Sequence, residues 1–163
     1  MDIKFDVVNI EIPEDCNVIL GQSHFIKTAE DLYETIKGIN PGIKFGIAFS
    51  EASGPCLIRY EGNDEKLTEC AVKNSEKLSA GHTFVIVMKE GFPINIKNAL
   101  MNVPEVLNIF AATANPIQAI IAETDLGRGI MGVIDGFKPL GTETDEDKKN
   151  RWNFLRSVTG YKK

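Results

Sequence analysis

Cysteine is scarce in this chain: three in 163 residues, with no C-x-x-C pair. So sparse and odd a set excludes a disulfide framework and a zinc site. Cys16, Cys56 and Cys70 are therefore expected to be reduced, buried thiols of a cytoplasmic protein. Long apolar runs are absent too, since none approaches the roughly 18 residues of a membrane helix. The opening MDIKFDVVNIEIPED mixes acids with apolar residues and does not read as a signal peptide. Basic charge is in deficit, with 18 Lys+Arg against 23 Asp+Glu and a net charge of -5. That balance argues against nucleic acid or an anionic membrane as the main partner, but leaves room for a small anion in a local basic pocket. Neither H-E-x-x-H nor G-x-x-x-x-G-K-[ST] occurs, so a zinc-protease helix and a Walker P-loop are excluded, and no metal-ligand set is expected.

What is present is an ordinary globular mix, 43% hydrophobic and 25% charged, enough to bury a core over residues 1–163 as one domain. Loose alternation predicts a strand over 3–12, ended by Pro13, and a short one at Val18-Ile19-Leu20. Thr28, with Glu30 and Asp31 behind it, predicts a helix start, and Leu32, Ile36 and Ile39 give its apolar stripe. Strands are expected over 45–49, 57–60, 83–88, 106–111, 117–122 and 130–134. Helices are expected around Leu67, Ala71 and Leu78 up to a stop at Gly81, from Pro93 to about Met101, and around Trp152, Leu155 and Val158. The pattern predicts a single layered α/β domain with a mixed β-sheet.

Five segments carry candidate chemistry. Gly21–Thr28 lies between a strand and a helix start, where free N–H groups favour phosphate. Lys27 adds charge there, and Ser23 and Thr28 add hydroxyls. His24 could carry a proton or attack phosphorus, because an ordinary imidazole, with a pKa of about 6.5, keeps a free lone pair at pH 7. It could equally be a structural histidine beside a helix cap. Gly81-His82-Thr83 marks a strand start at a sheet end, a common ligand position, or simply a helix C-cap. Gly127-Arg128-Gly129-Ile130-Met131-Gly132 matches G-x-G-x-x-G, but strand residues follow it where a dinucleotide site needs a helix. A hairpin is the expected form, with Arg128 free to clamp a phosphate and Gly127 and Gly129 to offer N–H groups. Asn63 and Asp64 suit a turn, or could hold Mg²⁺ or a ribose hydroxyl. Ala112–Pro116 suits a tight turn, or lets Asn115 meet a base or a phosphate.

Together GQSHFIKTAEDLYE (21–34), ASGPCLIRYEGND (52–64), AGHTFVIVMKE (80–90), FPINIKNALMNVPEVLNIFAATANP (92–116) and GRGIMGVIDG (127–136) resemble the adenosine-specific kinase family in collinear order. The resemblance implies a three-layer α/β domain, a homotrimer, adenine nucleotide or adenosine (ATP or AMP) as ligand, and histidine phosphorylation. His24 would be the phosphohistidine candidate, with Lys27 and Ser23 on the phosphoryl oxygens and His82 as the second candidate. Arg59, Asn63, Asp64, Asn115, Arg128, Gly127 and Gly129 would line the nucleotide pocket, with Mg²⁺ arriving on a triphosphate. The alternatives are a non-catalytic AMP/ATP sensor and a structural oligomer whose histidines and glycines only make turns.

Overall fold

The computed structural model describes residues 2–163. Eight strands and four helices follow one another as β1 (Lys4–Ile10), β2 (Asn17–Ser23), α1 (Thr28–Ile39), β3 (Lys44–Ser50), β4 (Ile58–Gly62), α2 (Glu65–Leu78), β5 (Thr83–Lys89), α3 (Pro93–Met101), β6 (Val106–Thr113), β7 (Ile117–Thr124), β8 (Gly127–Asp135) and α4 (Asp145–Asn153). A π-helical turn, Phe154–Val158, continues α4. The strands form a five-stranded sheet, β4-β3-β5-β2-β6, and a three-stranded sheet, β1-β7-β8.

The domain is α/β, as expected, but the expected mixed sheet is two antiparallel ones. The reason is topological. Helical crossovers do join parallel strands: β2-α1-β3, β4-α2-β5 and β5-α3-β6. In each case another strand (β5, β3 and β2 respectively) is inserted between the two, so every neighbour runs antiparallel.

Alternation along the central strands separates two cores. Ile19, Phe45, Ile47, Phe49, Phe84, Ile86 and Met88 face α1 and α3, meeting Leu32, Ile36, Ile96 and Leu100. Val18, Leu20, Ala48, Val85 and Val87 face the other way, onto Leu67, Ala71 and Leu78 of α2 and onto Val8, Ile10, Ala119 and Ile121 of the small sheet. The result is three layers. Helix α2 lies so close to β3 that a Cβ at Gly46 would overlap the Thr68 backbone, so only glycine fits there.

Local endings differ in small ways from the sequence expectation. Helix α2 stops at Leu78 because Ser79 takes the left-handed conformation, two residues before Gly81. Cys16 and Cys70 are buried, and burial pushes both thiols up, whereas Cys56 is exposed in the loop after β3 and departs from the buried reading. Among the described residues, no helix is long and apolar enough to cross a membrane.

Candidate functional site

The two ends of the five-stranded sheet divide the candidate residues. One end is made by the last residues of β2 and β3 and the first of β4, β5 and β6. Across it runs a row of backbone bonds. Ser23 N–H donates to His82 O at 2.9 Å, and His82 N–H donates to Ser50 O at 2.7 Å. The two histidines thus belong to one strip, although 58 positions separate them in sequence. His82 has φ 59°, in the left-handed region that is unfavourable for a side-chain-bearing residue, and its ring stacks on Phe49 with centroids 6.0 Å apart. The Ser50 hydroxyl bonds that of Ser75 at 2.8 Å.

His24 is exposed, and its N–H donates to Glu105 O at 3.1 Å. Ser23 is fully buried, with its hydroxyl 2.7 Å from that of Thr28. Lys27 bonds Asp31 at 2.7 Å and lies 3.7 Å from the Glu105 carboxylate. The Asp31 bond, reinforced by Glu105, holds the lysine ammonium above its usual range.

Beside this strip a cavity of about 690 Å³ opens between Glu51, Ser79, Gly81 and the β7–β8 hairpin, where Gly127, Arg128 and Gly129 line it. Arg128 is anchored: Nε donates to Leu78 O at 3.0 Å, and the guanidinium pairs with Asp6 at 2.9 Å and Glu123 at 2.7 Å. Arg59 pairs with Glu51 at 2.9 Å on the cavity wall. Lys27, Arg59 and Arg128 therefore all carry carboxylate partners before any anion arrives.

The remaining candidates sit at the opposite end of the sheet. Asn63 accepts from Phe45 N–H and donates to Ile43 O, both at 2.8 Å. Asp64 caps α2 by accepting from Leu67 N–H at 3.1 Å, with Lys89 at 3.7 Å. Asn115 donates to Asp135 at 3.1 Å beside the β6–β7 connection. The structure does not bring these three together with the histidines.

Sequence reasoning missed Glu105 and Asn108. Both are at the histidine end of β6, and they matter because of what they lack. The buried side-chain polar atoms without a hydrogen-bond partner, among the described residues, are Arg59 Nε, both carboxylate oxygens of Glu105 and Asn108 Oδ1. All four are at this one end. Buried polar groups are nearly always bonded, so such a cluster calls for an explanation. The only sequence signal was an acid between Pro104 and a strand. No group of three or more metal-ligating side chains occurs among the described residues.

The family model described as adenosine specific kinase matches residues 8–162. The chain belongs to the adenosine-specific kinase family. A crystal structure of the PH1918 protein from Pyrococcus horikoshii OT3 is similar over 99% of both chains, at 47% identity and a TM-score of 0.95. No curated protein matches.

Proposed function

We propose that this chain is an adenine-nucleotide-binding phosphotransferase that carries the phosphoryl group on His24, working as a homotrimer. The observation that carries the reading is the Ser23–His82–Ser50 row of backbone bonds, which sets His24 and His82 on the same strip as a cavity bordered by Gly127, Arg128 and Gly129. Ser23 and Ser50 are separated by one strand, about 10 Å. A nucleotide lying along the strip would keep its adenosine in the cavity and its γ-phosphate by His24.

The chemistry is mainly positioning and charge neutralisation. A ring nitrogen of His24 attacks the γ-phosphorus. The N–P bond forms, the bond to the bridging oxygen breaks, and ADP leaves with the electron pair while a ring proton passes to solvent. A hydroxyl of adenosine then attacks the phosphorus and gives its proton to solvent; the N–P bond breaks, and the imidazole leaves with the electron pair and takes back a proton. Lys27 neutralises the phosphoryl oxygens. A Mg²⁺ ion carried by the triphosphate would add charge neutralisation. His82, half-buried and stacked, holds the floor of the strip.

A second reading, a nucleotide sensor without turnover, is favoured by one observation: the cations near the strip are already paired, so anion binding must displace carboxylates. Labelling with γ-labelled ATP separates the two. The transferase reading expects stoichiometric label on the wild type and none on His24→Ala. Label that persists there and disappears in His82→Ala exchanges the roles. Nucleotide binding by calorimetry with no label on any variant leaves the sensor.

A further inference from the structure

The C-terminal helical segment buries none of its side chains against the body that precedes it. Neither α4 nor the turn that continues it has a buried residue. Trp152 is 55% exposed, and Phe154, Val158 and Tyr161 are also exposed. Its supports are local to the segment: a capping box, with Thr144 and Asp147 bonding each other's N–H, the Arg151–Glu143 and Lys148–Asp145 ion pairs, and the Arg156 guanidinium 4.0 Å over the Trp152 ring. A helix of 14 residues is marginal in water without tertiary packing. This one therefore needs a surface.

The three-stranded sheet has such a surface unclaimed. Its inner face is core, but Phe5, Val7, Met131 and Ile134 are exposed, Phe5 to 71%. Val7 pairs across to Ile120, and Ile120 to Gly132, while Gly129 stands opposite Ala122. A Cβ at either glycine would meet nothing within 4 Å, so the face is shallow enough for a helix to lie close.

Charge matches the arm to the body of this chain. Residues 137–163 hold seven basic and four acidic side chains, a net +3, which leaves -8 on residues 1–136. From Lys148 onward there are six cations and no acid. Nine residues (136–144) separate the sheet from α4, enough to span about 30 Å. We infer that the C-terminal arm of each protomer docks, through Trp152, Phe154 and Val158, on the Phe5–Val7–Met131–Ile134 face of a second copy of this chain. A head-to-tail exchange of this kind whose rotation closes makes a ring, which buries both unpartnered faces at once. The inference rests on the assembly named above and supplies its contacts.

Trp152 is the sole tryptophan, so its fluorescence reports the docking directly. The full chain is measured across a dilution series, with mass by sedimentation in parallel. The expected result is blue-shifted emission in the assembly. Met131→Lys/Ile134→Lys lowers the mass toward 18.0 kDa and shifts the emission to the red, with no change in β-sheet circular dichroism. An assembly whose Trp152 emits as a solvent-exposed indole would overturn the arm contact and leave the trimer reading intact. A monomer at all concentrations would overturn both. Blue emission in a monomer would show the arm folded onto its own sheet and also ends the inference.

Discussion

The two ends of the five-stranded sheet are built from similar residues and spend them differently. At the Asn63 end, asparagine and aspartate bond backbone or side-chain groups of their own chain and satisfy them. Asn63 ties Ile43 to Phe45, Asp64 caps α2, and Asn115 bonds Asp135. At the His24 end, a carboxylate 1% exposed has no hydrogen bond, an arginine Nε and an asparagine oxygen are orphaned, and a histidine holds a left-handed backbone. Polar side chains that close their own hydrogen bonds maintain the fold. Those held with bonds unmade are available to something that is not yet there.

Substitutions at each end can break this contrast. The largest effect is expected from His24→Ala, which should reduce phosphoryl label to background while the melting temperature stays within error, since the side chain is exposed. Next, Lys27→Ala should cost about 2–4 kcal/mol of transition-state stabilisation, or roughly 30–1,000-fold in labelling rate, by single-turnover kinetics. Asn63→Ala should do the reverse. Two backbone groups lose their partner, so denaturant titration should show a loss of about 2–3 kcal/mol in stability, with the labelling rate per folded molecule unchanged. The smallest is Asp64→Ala, where losing the α2 cap costs about 1 kcal/mol. If Asn63→Ala abolished labelling without destabilising the chain, the division between the ends would be wrong.

The hairpin that closes the cavity gives a pH test. Arg128 holds the Asp6 carboxyl below the usual carboxylate range through a hydrogen bond. A depressed folded pKa means the unfolded chain binds the proton more readily. The contribution of Asp6 is therefore complete above its ordinary value of about 3.9 and is lost as pH falls through the lower folded value. Acid titration followed by circular dichroism should show a shallower limb below about pH 4 in Asp6→Asn than in the wild type.

The sequence made some of this plain and hid the rest for physical reasons. Leu32 and Ile36 at helical spacing announced α1, and the unbroken apolar run at residues 84–88 announced the central strand β5. Strand order was not legible, because βαβ spacing is the same whether the two strands are neighbours or have a third between them. The histidine strip depends on pairing β2 with β5 and β5 with β3, which are long-range facts. Asn63 and Asp64 read as possible ligands because the residue types for a turn and for a ligand are the same. Glu105 was overlooked because nothing in Pro-Glu-Val reveals that the acid is buried without a donor. Trp152, Leu155 and Val158 announced a helix correctly, but their spacing could not say that the body provides no seat for it.

The most direct test is the crystal structure of the chain grown with ATP and Mg²⁺. The account predicts the adenosine in the cavity beside Gly127, Arg128 and Gly129, and the γ-phosphorus within about 3.5 Å of a His24 ring nitrogen. Phosphates seated at Asn63 and Asp64, or remote from both imidazoles, would contradict it.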